Sequence, residues 1–232
     1  MHNVLTPLQR LVLEGLFNGG MASRGFFLTG GTALAEYYLG HRYSDDLDLF
    51  QRGSGPLERG DISHVLSVLG SMDMRVDQTK DLDMQKELLV SRAGKTDPSL
   101  VVHLCRDVAV RMEAPQIQGP VAVDSLLDIA VNKADTILSR APSEPKDYCD
   151  LYFILKSTSY TLDYLLARAR EKNGAFEHEE NLLRFAVNLR EAGSLQLQPK
   201  IRMIKPLTLA ELAGYLVPLA DELINRYRPQ RG

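Results

Sequence analysis

Cysteine is scarce in this chain of 232 residues, and the two that occur, Cys105 and Cys149, lie far apart. Zinc sites and disulfide frameworks need closely spaced cysteines such as C-x-x-C pairs, so this spacing disfavours both. A reducing, cytoplasmic location is expected for a chain with this cysteine usage.

Long hydrophobic runs are also missing. The first ten residues, MHNVLTPLQR, lack the apolar core of a signal peptide, and no later run approaches the length that spans a bilayer. We therefore expect no membrane partner. The formal net charge of -3 does not indicate a nucleic-acid-binding protein, although a local basic face is compatible with this average.

The pattern of elements that is present changes near Val121. Before it, short apolar runs predict strands at 26–28, 47–50, 72–77, 85–92 and 100–105, with helices at 5–17 and 32–39 and one capped by Asp61. After it, the pattern is helical, at 126–140, 146–156, 162–172, 179–190 and 207–226, with breaks at Pro142 and Pro145. We predict an α/β domain at 1–120 and a helical domain at 121–232.

A glycine pair follows the first short apolar run and begins a predicted helix, in the order Gly30-Gly31-Thr32. Glycines at this point let the backbone approach a ligand closely. The amides and the dipole at the start of a helix suit an anion such as a triphosphate, and Thr32 would add a hydroxyl contact. A tight turn without a ligand explains the pair equally well, so this motif alone predicts no function.

Two aspartates, Asp46 and Asp48, lie in the next predicted strand. Alternate residues of a strand point to the same face, so both carboxylates converge on one spot. Like charges held together need a cation, and carboxylate oxygens suit Mg²⁺ or Mn²⁺. A bare D-x-D pair is more often a solvated strand edge. The order of strand, Gly-Gly-Thr helix and D-x-D strand favours a two-metal site instead.

Polar residues lie between these two motifs. Arg42 would neutralise triphosphate charge, Ser44 would cap a helix or bind phosphate, and His41 would pair with a carboxylate or a phosphate. Judged by composition alone, a simple polar loop is the better interpretation.

In combination, these residues resemble the nucleotidyltransferase AbiEii/AbiGii toxin family, within the polymerase-β nucleotidyltransferase superfamily. The resemblance rests on G-G-T-A-L at 30–34 and H-R-x-S-x-D-x-D-L-F at 41–50. Downstream, D-I-A-x-N-K-A at 128–134 resembles the family's helical lysine motif. K-D-x-x-D-L-Y at 146–152 resembles its R-D-x-x-D-L-Y motif, with Lys in place of Arg.

The resemblance implies an α+β fold: a polymerase-β-type nucleotidyltransferase core with a mixed sheet, followed by a C-terminal helical domain. It also implies that Asp46 and Asp48 bind magnesium and that the Gly-Gly-Thr motif holds the triphosphate of an NTP. In the helical half, Lys133 would contact the nucleotide phosphates. Asp147, or less readily Asp150, would complete the active site.

The spacing of the helical residues is compatible with these roles. Lys133 and Arg140 are seven residues apart and share a helix face, as do Asp147 and Asp150, which are three apart. Without the resemblance, Lys133 is an ordinary exposed lysine and Asp147 a carboxylate stabilised by the dipole at a helix start.

The predicted strand at 100–105 departs from the superfamily, many of whose enzymes carry a third carboxylate on a later strand. His103 stands at that position, and Asp107 is expected beyond the strand end. Histidine is a poor substitute for a hard carboxylate ligand, although it can act as a base near neutral pH. We favour a core histidine, which leaves the general base unassigned.

The leading hypothesis is metal-dependent transfer of a nucleoside monophosphate from an NTP to an acceptor hydroxyl. In the family that the chain resembles, the acceptor can be the 3′ end of tRNA, and a separate antitoxin restrains the toxin. Basic residues of the helical half would guide an RNA backbone, with solvated helix faces as an equally good explanation. They are Arg168, Arg170, Lys172, Arg184, Arg190, Lys200, Arg202 and Lys205.

Two alternative functions stay open at this point. One is a nucleotidyltransferase that acts on a small molecule, as antibiotic-modifying enzymes with the same core do. The other is a nucleotide-binding module without catalysis. The presence of His103 in place of a carboxylate would indicate such a module.

Overall fold

The computed structural model describes residues 2–94, 99–140, 143–195 and 201–228. Pro142 and Lys200 lie outside these ranges. The chain divides into two compact units: the first draws on Met1–Val108 and Ala114–Ser125, the second on Ala109–Glu113 and Leu126–Gly232. Separate domains at 1–120 and 121–232 stay a prediction. Within the described ranges, every helix is too short or too polar to cross a membrane.

The first unit is built around a mixed sheet of seven strands. Its helices are α1 (Pro7–Asn18), α2 (Gly30–Ala33) and α3 (Arg59–Ser71). Its strands are β1 (Phe26–Thr29), β2 (Asp46–Arg52), β3 (Met74–Leu82), β4 (Gln85–Arg92), β5 (Leu100–Asp107), β6 (Gln116–Gln118) and β7 (Val121–Val123).

The strands follow the order β3-β4-β5-β2-β1-β7-β6 across the sheet. Two neighbouring pairs are parallel, β2 with β5 and β1 with β7. The other four pairs are antiparallel. Strand β2 therefore lies inside the sheet, where its neighbours β1 and β5 hold both of its edges.

Local signals explain where α1 begins. The Thr6 hydroxyl accepts from the Gln9 amide, and the Gln9 side chain accepts from the Thr6 amide, which forms a capping box before Pro7. The helix buries Val12, Leu13 and Leu16 completely. The helix occupies most of the range predicted at 5–17.

The second unit is helical. Its helices are α4 (Leu126–Ser139), α5 (Pro145–Ser157), α6 (Leu162–Lys172), α7 (Glu179–Arg190) and α8 (Leu209–Tyr227). A mixed sheet followed by helices is the predicted α+β arrangement, which is thereby confirmed.

Two local predictions are wrong, and one predicted helix differs in its start and type. Asp61 does not cap α3, because Glu58 is the residue before that helix; Asp61 lies inside its first turn and pairs with Arg24 at 2.8 Å. The helix predicted at 32–39 begins earlier, at Gly30, and turns into a π-helix over Leu34–Leu39. Asp107 is the last residue of β5 and not beyond it, because its pairing with Arg52 extends the strand.

Candidate active site

Asp46 and Asp48 lie on the same face of β2. They are half-buried, whereas Leu47 and Leu49 between and after them are fully buried on the opposite face. This alternation follows from the two-residue repeat of a strand. The hydrophobic side chains fix the register of β2, and the two carboxylates consequently face the same way.

The start of α2 lies against these carboxylates. Gly30 has a φ of 71°, and a β-carbon there would overlap the carboxylate of Asp48. A β-carbon on Gly31 would lie 2.5 Å from a terminal guanidinium nitrogen of Arg42 and 3.0 Å from Ser44 Oγ. Glycine is favoured at Gly30 by its positive φ and by the close approach to Asp48, and a side chain at Gly31 would displace the end of Arg42.

Two hydroxyl groups hold Asp46 in place. Thr32 Oγ1 donates to the Asp46 carbonyl at 2.5 Å, and Ser44 Oγ lies 3.4 Å from Asp46 Oδ1. The Thr32 side chain is thus used inside the protein. The groups that remain for an anion are the backbone amides of Gly30, Gly31 and Thr32. They lie in the first turn of α2 and have no acceptor within the helix.

Three polar side chains between the motifs, those of His41, Arg42 and Ser44, are buried. Arg42 is 4% exposed and donates to the Tyr43 carbonyl at 2.9 Å, and His41 is fully buried. Gln9 Nε2 donates to the Ser44 carbonyl at 2.7 Å, which fastens the segment to α1. These residues form a loop, as their composition indicates, but its polar side chains are packed inside the protein.

His103 is the neighbour of Asp48 across β2 and β5. Its Nδ1 lies 2.9 Å from Asp48 Oδ1 and its Nε2 lies 3.2 Å from Glu87 Oε2. Its side chain is 21% exposed, so the core position that we favoured is wrong. The hydrogen bond with Asp48 raises the pKa of His103 against the opposing effect of burial, and the Asp48 charge and Glu87 raise it further.

Sequence reasoning missed Glu87. Strand β4 pairs with β5 so that Glu87 stands opposite His103. Its pKa is lowered first by the hydrogen bond from Thr79 and next by the one from His103. No local signal marks this glutamate, because its partner is set by the order of strands in the sheet.

The residues on this face fit a divalent cation. Asp46, Asp48 and His103 each offer one ligand atom, and these atoms lie within 4.8 Å of one another. Two carboxylate oxygens and one imidazole nitrogen are ligands that divalent metal ions accept. The face of β2 and β5 is therefore a candidate metal centre.

The second unit holds a separate buried cluster. Lys133 Nζ lies 3.0 Å from Asp147 Oδ1 and 2.7 Å from Asp150 Oδ2, and Arg140 lies 3.4 Å from Asp147 Oδ2 and 2.8 Å from Glu144. Asp147 and Asp150 are almost fully buried, and the Lys133 side chain is 10% exposed. The structure thus brings together the four residues predicted in this half, and Lys133 is not an exposed lysine.

Several of the basic residues that were considered for RNA binding are engaged with carboxylates. Lys172 pairs with the buried Asp128 at 2.8 Å and is 7% exposed at its side chain. Arg168 pairs with Glu171, and Arg190 pairs with Asp221. Lys172 is therefore not a surface cation for an RNA backbone.

Known proteins resemble the chain in sequence. Residues 22–225 match the sequence model of the family described as Nucleotidyl transferase AbiEii toxin, Type IV TA system. A relative, the uncharacterized protein aq_aa25 of Aquifex aeolicus, is 28% identical over 171 residues, which is 71% of this chain and 73% of the relative.

Solved structures share the fold. JHP933 from Helicobacter pylori aligns with a TM-score of 0.56 at 19% identity, over 95% of this chain and 90% of its own. A putative nucleotidyltransferase from H. pylori gives 0.57 at 18%, over 97% and 95%. MenT4, a nucleotidyltransferase toxin from Mycobacterium tuberculosis, gives 0.52 at 14%, over 92% and 84%.

The fold is thus shared with nucleotidyltransferases. The structure also contains the strand that carries Asp46 and Asp48 and the helix that begins at Gly30. Because the family match spans most of the sequence, the chain belongs to the nucleotidyl transferase AbiEii toxin family of type IV toxin–antitoxin systems. The protein is a nucleotidyltransferase, and the resemblance stated from its motifs is confirmed.

Proposed function

We propose that this protein transfers a nucleoside monophosphate from an NTP to an acceptor hydroxyl, at a metal centre formed by Asp46 and Asp48. One observation carries the proposal. Both carboxylates converge with His103 on one face of the sheet, and the start of α2 lies so close that only glycine fits at Gly30.

Each group on this face has a part in the proposed transfer. Asp46 and Asp48 would hold Mg²⁺ or Mn²⁺, which would neutralise phosphate charge and activate the attacking hydroxyl. The first-turn amides of α2 would bind the triphosphate, and Arg42 beside Gly31 would add positive charge. Thr32 and Ser44 would keep Asp46 oriented through their contacts of 2.5 Å and 3.4 Å.

The bond changes are those of a nucleotidyl transfer. The acceptor oxygen forms a bond to the α-phosphorus of the NTP while the bond from that phosphorus to the pyrophosphate breaks, and the proton of the acceptor hydroxyl passes to the solvent. The protein's contribution is mainly positioning and charge, because the reaction has little covalent chemistry for side chains to perform.

For the helical unit, we propose the roles that the family resemblance implies. Lys133 would contact the nucleotide phosphates and Asp147 would take part in catalysis. Asp150 and Arg140 would hold these two side chains, since Asp150 lies 2.7 Å from Lys133 and Arg140 lies 3.4 Å from Asp147.

We propose tRNA as the acceptor, a cytoplasmic site of action and a cognate antitoxin protein as the partner. Membership of a family of type IV toxins supports the antitoxin, and the tRNA acceptor comes from the family resemblance. A small-molecule acceptor and a binding module without catalysis are the alternatives that the experiment must separate.

The test is transfer of label from each of the four α-labelled NTPs to total tRNA, with Mg²⁺ or Mn²⁺ present. We expect label on tRNA from wild type and a loss of at least about 1,000-fold in Asp48→Ala, because removing one metal ligand removes most of the charge stabilisation. Asp45→Ala is the matched control, since it removes an exposed carboxylate from the same segment.

Equal labelling by wild type and Asp48→Ala would overturn the assignment of Asp48. Labelling of small hydroxyl compounds but not of tRNA would move the acceptor to the small-molecule class. NTP binding without transfer to any acceptor would leave only the non-catalytic module.

A further inference from the structure

His103 joins two carboxylates in a line across three strands. Asp48 on β2, His103 on β5 and Glu87 on β4 are register partners, so their side chains share one face of the sheet. The imidazole contacts both neighbours, through Nδ1 to Asp48 at 2.9 Å and through Nε2 to Glu87 at 3.2 Å.

Glu87 is held so that it receives a hydrogen bond from His103. Its Oε1 accepts from the Thr79 hydroxyl at 2.6 Å, which leaves Oε2 for Nε2 of the imidazole. When Nε2 donates its N–H to Glu87, the neutral imidazole has its lone pair on Nδ1, where it can bind a metal ion. The lone pair of Nδ1 then points towards Asp48.

Nδ1 and the Asp48 carboxylate oxygen, 2.9 Å apart, need a cation between them, which is either a proton on Nδ1 or a metal ion. A metal ion meets this need, and Asp46 already offers a third ligand atom within 4.8 Å. Ligands about 2.1 Å from one ion are no more than about 4.2 Å apart, so a small side-chain rotation brings all three onto it.

We propose that His103 is a ligand of the metal ion held by Asp46 and Asp48, that Glu87 is its positioning residue, and that the nitrogen ligand makes the site prefer Mn²⁺ to Mg²⁺. The proposal rests on the proposed function, because it concerns the same metal centre. Carboxylate hydrogen bonds to ligating histidines orient the ring and raise its basicity. Mg²⁺ takes oxygen ligands, whereas imidazole is a ligand for first-row transition ions, among which Mn²⁺ also accepts carboxylates.

The experiment is pulsed electron paramagnetic resonance of Mn²⁺ bound to the full chain, with and without a non-hydrolysable NTP analogue. Electron spin-echo modulation reports nitrogen bonded to the ion, independently of turnover. We expect nitrogen modulation in wild type and its loss in His103→Ala. His64→Ala is the matched control, because that histidine of the same unit contacts the Gly19 carbonyl and should leave the signal unchanged.

Competition between Mn²⁺ and Mg²⁺ gives the second measurement. We expect wild type to prefer Mn²⁺, and His103→Asp, which makes an all-oxygen site, to reduce that preference about 10-fold. Glu87→Ala should weaken Mn²⁺ binding about 10-fold and shift the nitrogen coupling, a spectroscopic change that a purely structural role would not produce.

Mn²⁺ bound through oxygen alone, or no Mn²⁺ binding in either condition, would overturn the proposal. Nitrogen coupling in a protein that transfers no nucleotide would uphold the His103 ligand and defeat the proposed function. Transfer of nucleotide without nitrogen coupling would uphold the proposed function and defeat the His103 ligand. The two failures are therefore distinguishable.

Discussion

At Gly30 a backbone φ of 71° coincides with a close approach of the main chain to the Asp48 carboxylate. A methyl group there must displace that carboxylate. We therefore expect Gly30→Ala to lower kcat/KM for labelled transfer by about 100-fold or more, since small misplacements of reacting groups carry losses of that size. The same change should destabilise the fold by about 1 kcal/mol through backbone strain, measured by urea unfolding.

Gly20→Ala is the matched control for that change. Gly20 has a φ of 99°, and a β-carbon added there would meet no heavy atom of the described residues within 4 Å, so alanine strains the backbone without touching a neighbour. Its stability loss should be similar and its transfer activity intact. Equal loss of activity in both variants would show that strain, and not the Asp48 contact, explains the Gly30 result.

At the scale of single elements, helices were easier to predict than the sheet. The ranges predicted at 162–172 and 179–190 coincide with α6 and α7, because the apolar spacing of each helix is encoded in its own sequence, and Thr161 also caps α6. The Gly-Gly pair was placed at a helix start, as observed for α2, but the π-helical turns over Leu34–Leu39 were not predicted.

The order of the strands in the sheet cannot be predicted from the local sequence. A strand pattern puts Asp46 and Asp48 on one face, but it does not say which strand lies beside them. The order β4-β5-β2 places Glu87 and His103 next to Asp48. His103 was expected in the core because it lies in an apolar run, and its partly exposed place on the face opposite the buried Val102 and Leu104 depends on the sheet.

Gln9 links helix α1 to the segment that precedes Asp46. Its Oε1 accepts from the Thr6 amide in the capping box of α1, while its Nε2 donates to the buried Ser44 carbonyl at 2.7 Å. Gln9→Glu keeps the acceptor and loses the donor. We expect it to lower the free energy of unfolding by about 2 kcal/mol, because a buried carbonyl loses its partner and faces a carboxylate.

The capping box of α8 provides the control. There Thr208 and Glu211 form the same arrangement in an exposed position. Glu211→Gln is the reverse exchange and should change the free energy of unfolding by less than about 0.5 kcal/mol. Similar costs at both boxes, measured by urea unfolding, would mean that the Ser44 contact contributes little.

On the scale of the whole molecule, each unit contains its own cluster of charged residues. Lys133 in the second unit separates two buried carboxylates, at 3.0 Å from Asp147 and 2.7 Å from Asp150. We expect Lys133→Met to destabilise that unit by about 3 kcal/mol, because both carboxylates lose their cation. If Lys133 also contacts the nucleotide, transfer should fall by at least about 10-fold under conditions where the variant is folded.

Lys172→Met separates these two effects. Lys172 is as buried as Lys133 and pairs with Asp128 at 2.8 Å in the same unit, but no role in transfer is proposed for it. Its stability loss, followed by thermal unfolding, should resemble that of Lys133→Met while transfer per folded molecule is kept. A parallel fall in transfer would make Lys133 a structural residue only.

The most direct test of the Asp46–Asp48 centre follows both ends of the NTP at once, with an α-label and a γ-label in a single-turnover reaction. We predict one pyrophosphate carrying the γ-label for each α-labelled monophosphate joined to the acceptor, and neither product from Asp46→Asn or Asp48→Asn. Transfer of the γ-label to the acceptor, or undiminished transfer of the α-label by the two variants, would contradict a nucleotidyl transfer at this centre.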